Sequence, residues 1–310
     1  MSVTRCLILG CDTMALDATV LLDDEVPVRH HHPAWTTLRR LLHHRLFMTG
    51  FVVFAFVLVV AVLAPWLTSA DPDRLAMRFR FLSPSPDHLF GTDNFGRSLY
   101  SRVIWGARLS MIIGVSVVAI NAVLGTAIGA AAGYFRRIDN VVMRINDALM
   151  AFPAVLLAIA VTAVLGPSLN DVIIALGVVY TPRTARIVRS SVIVLRETEY
   201  VQAAVAAGAG HWRILRRHIL PNAMAPLIVQ LSFLFAYAVL TEATLSFLGV
   251  GAVPPTPTWG NIMADGRQYM VDAPWIIAIP GLALMVTVLG LNLLGDGLRD
   301  VLDPRLRIQQ

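Results

Sequence analysis

Few side chains in this sequence stand where they could act on a substrate or hold an ion. Glu242 is the one acid deep in an apolar block, and an ionisable group in such a stretch is a functional suspect by default. It lies about 19 residues beyond Ala223, or ~28 Å along a helix, which predicts a place near a membrane interface. The alternative is that it lines a polar interior and meets an amino group or a metal. Cys6 and Cys11 match no metal or redox spacing. His30-His31-His32 are three adjacent imidazoles, which do not easily face one ion together. The richest stretch is Glu199–Asn222, where small and apolar residues alternate with Arg213, Arg216 and Arg217.

The elements that must position these residues are membrane helices. Charged residues make up 15% of the chain, hydrophobic residues 56%, and the mean hydropathy is +0.68. A soluble domain would carry about 25% charged residues, and a water-soluble globule of this size could not hide the excess. The apolar residues gather in blocks at Leu46–Leu67, Met111–Phe135, Ala148–Gly166, Val172–Arg189, Met224–Gly249 and Trp275–Gly295. About 20 such residues cross the hydrocarbon layer, so the pattern predicts an all-α integral membrane protein with about six transmembrane helices. The fourth block is the weakest, because Arg183, Arg186 and Arg189 recur every third position after Thr181-Pro182. It is kept as a span whose arginines snorkel from an inner helix end. An amphipathic surface helix is expected over 99–107, carrying Leu99, Val103, Ile104 and Ala107. Gly125 and Gly129 form a small-xxx-small pair suited to close helix packing. No internal repeat is evident, which counts against folds built from inverted repeats.

All 25 cations are arginine. Placing both termini in the cytoplasm puts 18 of them inside and seven outside, as the positive-inside rule favours. The arginines sit in loops between spans and not on one folded face, which argues against nucleic-acid binding. The chain divides into a poorly ordered tail over 1–33, a basic segment with the first span over 34–67, and an extracytoplasmic loop over 68–109. A core of five spans over 110–297 and a cytoplasmic tail over 298–310 complete it.

The inner loop 199–222 reads as two short amphipathic helices at an angle. Val201, Ala204, Val205 and Gly208 fall on one face, continued by Trp212 and Leu215. Gly208 and Gly210 invite a bend, Pro221 ends the second piece, and Asn222 caps the next helix. An apolar face outside the membrane has two homes, a protein groove or the lipid headgroups, and the pattern alone does not choose.

Gln202-Ala203-Ala204-x3-Gly208, nine residues, then His218-Ile219-Leu220-Pro221 resembles the EAA loop of binding-protein-dependent ABC transporter permeases. Gln202 stands where that family usually has Glu. Phe90-Gly91-Thr92-Asp93-x2-Gly96-Arg97 is similar to a motif of the peptide/nickel importer branch, in its second (C-type) permease. So are Ser246-Phe247-Leu248-Gly249-Val250-Gly251 with Pro254-Pro255, then Trp259-Gly260-Asn261, and Leu294-Gly295-Asp296-Gly297-Leu298-Arg299-Asp300-x2-Asp303-Pro304-Arg305. The resemblance spans roughly residues 35–307 and implies the type I ABC importer permease fold. It further implies a heterodimer with a second permease, two cytoplasmic ATPases carrying the ATP and Mg, and an extracytoplasmic substrate-binding protein. The location would be the bacterial cytoplasmic membrane. This chain would itself bind no cofactor or metal and catalyse no covalent chemistry. Gln202, Ala203, Ala204, Gly208, Trp212 and Arg216 would then meet the ATPase, and Glu242 would be the pathway candidate. The histidine run would lie on the wrong side of the membrane for uptake. An ATP-independent secondary transporter or channel, or a membrane scaffold, is the competing reading. The first needs acidic relays or broken helices at mid-membrane, and Glu242 alone does not supply them.

Overall fold

The computed structural model describes residues 33–68 and 71–302. Cys6, Cys11, His30-His31-His32 and the Asp303-Pro304-Arg305 end of the last motif lie outside the described residues. The described residues fall into two units that meet between Arg39 and Arg40. The first contributes only the start of α1 (Pro33–His43) to the described chain.

Among the described residues the elements are helical, with one isolated bridge between Thr92 and Ser98. Helix α2 (Arg45–Leu67) is an apolar rod of 23 residues, which gives about 34 Å of length. Next come α3 (Leu99–Tyr134), α4 (Arg136–Met150), α5 (Ala154–Leu165), α6 (Leu169–Arg196) and α7 (Glu199–Ala206). A short α8 (His211–Ile214) leads through a π turn over Leu215–Ile219 into α9 (Leu220–Phe247). The chain closes with α10 (Trp259–Gly266) and α11 (Trp275–Leu302). Four helices are long and apolar enough to cross a membrane: α2, α3, the continuous rod His211–Phe247, and α11. The pair α4 and α5, bent by 94°, passes as a fifth broken span. Helix α6 is 28 residues long, enough to cross at 1.5 Å per residue, and its arginines are what keep it out of the apolar class. The molecule is thus an all-α, multi-pass membrane protein.

Three boundaries differ from the sequence expectation. The surface helix over 99–107 is the first part of α3, because Leu99, Val103 and Ala107 pack against Ala236, Val239, Trp259 and Ile262 and not against headgroups. The third block breaks at Ala151–Pro153, where proline lacks an N–H and disfavours a helical residue before it. An amphipathic α4 therefore precedes a 12-residue α5. Helix α6 runs on to Arg196, beyond the expected Arg189, so Arg183, Arg186 and Arg189 sit along the rod and not at its end.

Close approach of backbones holds the bundle together. A Cβ at Gly125 would come within 2.7 Å of Thr184, and one at Gly133 within 2.8 Å of Val192. Gly129 likewise abuts Ala185 and Val188. These three glycines, spaced by four, let α3 lie directly on α6. Gly290 and Gly297 do the same for α11 against Val53 and Phe47 of α2.

Candidate functional site

The bend between α7 and α8 is built on a small core of its own. Val201, Ile214, Leu215 and Ile219 are buried with Ala130, Val188, Val192 and Leu227 from the ends of α3, α6 and α9. Helix α7 ends in a paired-bond cap: Gly208 N donates to Val205 O at 2.9 Å and Ala209 N to Ala204 O at 3.0 Å. That geometry requires a left-handed residue at its turn, and Gly208 has φ +78°. Among the described residues no atom lies within 4 Å of where a Gly208 or Gly210 side chain would begin. Gly208 therefore serves the turn, and both positions leave open space on its outer side.

The six expected contact residues come together here with different exposures. Gln202, Ala203, Gly208, Trp212 and Arg216 face outward, and Ala204 is half-buried. Trp212 is 69% exposed, which is unusual for the largest apolar side chain. The expected apolar face divides: Val201 and Leu215 turn into the core, while Val205 and Trp212 turn out. Gln202 Nε2 donates to Arg196 O at 3.0 Å, so this amide closes the α6–α7 corner. Glu197 sits at the same corner, and its hydrogen bond with Arg196 holds its carboxyl below the usual range. A cleft of about 750 Å³, lined by Phe135, Arg136, Arg137, Gln202, Val205 and His211 among others, flanks α7.

Pro221 does not end a helix, and Asn222 does not cap one. Proline has no N–H, and its ring crowds the carbonyl four residues back; the widened turn Leu215–Ile219 precedes it, with Leu220 N reaching back to Leu215 O. The Asn222 amide instead donates to His218 O at 2.7 Å and to the Tyr200 hydroxyl at 3.1 Å. Tyr200, His218 and Asn222 thereby pin α7 to the start of α9. His211 Nδ1 and the Tyr134 hydroxyl, 2.9 Å apart, tie α8 to the end of α3. Sequence spacing gave no sign of the two links between helices, which join residues 22 and 77 positions apart.

At the opposite end of the bundle the outer-loop and inter-helix motifs converge. Asp93 is fully buried; its carboxylate takes Arg97 Nε at 2.6 Å and Arg102 Nη1 at 2.8 Å. Both arginines also reach Asp265 at the end of α10, at 2.9 and 3.1 Å. Two positive and two negative groups thus close a buried cluster. Trp259 Nε1 donates to Val103 O at 3.0 Å, and Gly260 packs against Ala243 and Ser246. Glu242 belongs to this end. It is fully buried, and its Oε1 accepts from Ser246 Oγ at 2.8 Å.

Along α6, the arginine row meets the neighbouring helices. Arg186 pairs with Asp147, and Arg189 Nη2 meets Asp139 Oδ2 at 2.6 Å, both acids on α4. The Arg183 guanidinium lies 5.1 Å from the centre of the Tyr237 ring on α9. One turn away, Tyr180 and Thr241 share a hydrogen bond of 2.6 Å.

Comparison with known proteins places this architecture. Residues 121–308 match the family model of the binding-protein-dependent transport system inner membrane component. Residues 33–84 match the N-terminal TM domain of oligopeptide transport permease C. A Brucella abortus protein provisionally named as a peptide transport system permease is 57% identical over 89% of this chain and 94% of its own. The dipeptide transport system permease protein of Alkalihalophilus pseudofirmus is 44% identical, with 87% of this chain and 89% of that protein covered. A di/tripeptide transport system permease of Pseudomonas aeruginosa is 41% identical, with 86% and 90% covered.

Proposed function

The chain belongs to the family of binding-protein-dependent transport system inner membrane components, and from that membership we propose that it is one of two permeases in an ATP-driven importer of di- and oligopeptides. It sits in the bacterial cytoplasmic membrane with both termini inside. A second permease completes the pathway, and two ATPases dock from the cytoplasm with ATP and Mg. A binding protein delivers cargo from outside, and the chain itself binds no cofactor. The peptide cargo is supported by the printed names of relatives that align with nearly the whole chain.

The observation that carries the coupling role is the α7–α8 bend. Its inner side is packed and hydrogen-bonded to three long helices, while Ala203, Gly208 and Trp212 are exposed on its outer side. A rigid, partly apolar knob of small residues beside a tryptophan fits a protein groove, where an aromatic anchor carries much of the binding energy. In the proposed cycle ATP closes the ATPase pair, the bends follow their clefts, and the bundle turns from inward- to outward-facing.

The test is uptake of a labelled dipeptide by the reconstituted transporter. Gly208→Arg places a long cation in the open space and should abolish uptake while all subunits still co-purify. Gly208→Asn, which tolerates the left-handed turn, should keep much of it. Normal uptake by Gly208→Arg overturns the assignment of this surface.

A further inference from the structure

Arg183 stands thirteen residues before the end of α6 at Arg196 and fourteen after its start at Leu169, or ~20 Å from either end. A side chain at that level cannot snorkel to an interface, yet Arg183 is exposed on the helix surface. Cations inside a membrane protein face a water-filled cavity or pair with acids. Arg186 and Arg189, the next two of the row, do pair, with Asp147 and Asp139 of α4. Arg183 has no carboxylate within 4 Å among the described residues. The Tyr237 ring, itself 42% exposed, is what it rests on. A guanidinium near the face of a ring is attracted to it by charge and keeps in-plane N–H donors for a second partner. The Tyr180–Thr241 bond ties α6 to α9 one turn away and fixes the geometry of the pair.

We propose that Arg183, seated on Tyr237, is the subsite of the translocation path that receives the carboxylate of passing cargo. The planar fork matches a carboxylate and can hold it with two parallel hydrogen bonds. A peptide presents such a group at its C terminus, so this inference rests on the peptide-importer reading. The site would set orientation as well as attraction, because the same charge repels the peptide's ammonium end. It presents a single cation, which suits a station that must release its occupant.

The experiment uses the complete transporter, with partner permease, ATPases and binding protein, in proteoliposomes, and follows labelled alanyl-alanine uptake and ATPase stimulation together. Arg183→Gln should lower uptake about tenfold, roughly the loss of one charge-assisted hydrogen bond, with binding-protein-stimulated ATPase retained. Arg183→Lys should recover part of the uptake, and Arg183→Glu should fall below Arg183→Gln. Wild-type uptake in Arg183→Gln overturns the proposal. So does a parallel loss of uptake, ATPase stimulation and co-purification, since that assigns the charge to a contact with the second permease. Absence of alanyl-alanine uptake by the wild type would instead count against the peptide-importer reading.

Discussion

Asp93 shows how a short motif hides a long-range requirement. Its pairing with Arg97 is readable from a four-residue spacing, but Arg102 and Asp265 complete the cluster from α3 and α10. Asp265 lies 168 residues beyond Arg97, and no local pattern announces such a partner. Removing one buried acid leaves the two arginines to share a single carboxylate. Asp93→Asn should therefore destabilise the fold by about 3–5 kcal/mol, read as a lower thermal midpoint in detergent. Arg267→Gln, an exposed substitution just past the cluster on the same segment, should leave that midpoint nearly unchanged. Glu242 was visible from the sequence as an isolated acid. Its hydrogen bond to Ser246 and its complete burial were not, because they depend on how the loop after α9 folds back, with Gly251 against Ser246.

Among the elements, the seam of α3 on α6 is the most exacting. The spacing of Gly125 and Gly129 marks a packing pair, and Gly133 joins them against Val192 in the folded chain. A side chain at any of these meets the facing helix and must push it away. Gly133→Leu should cost about 1–3 kcal/mol through overpacking, and should lower the yield of assembled complex. Gly281→Leu in α11, where a Cβ would meet only Met263 Sγ at 3.7 Å, should behave almost as wild type. The third block and the α9 start were less legible because both depend on proline. Pro153 breaks the helix outright, whereas Pro221 is accommodated by a π turn. Hydropathy treats the two alike, and only the local geometry separates them.

For the molecule as a whole, blocks of apolar sequence located the spans, and the arginine count predicts their direction. That orientation is testable with single cysteines in a background lacking Cys6 and Cys11. A cysteine at Arg137, beside α7, should react with impermeant reagents only from the cytoplasmic side, and one at Ser85 only from the outside. The reverse pattern would invert the proposed topology and with it the site of ATPase docking. What the sequence could not convey is continuity. From His211 to Phe247 there are 37 residues in one helical piece, about 55 Å end to end. Trp212 sits at its foot, and Glu242 and Ser246 are locked into the opposite cap. Such a member behaves as a crankshaft: a sideways push at the foot must emerge as a tilt at the head. The widened turn at Leu215–Ile219 departs from the α-helical hydrogen-bond ladder, so in the proposed cycle those five residues would set how much of each stroke arrives.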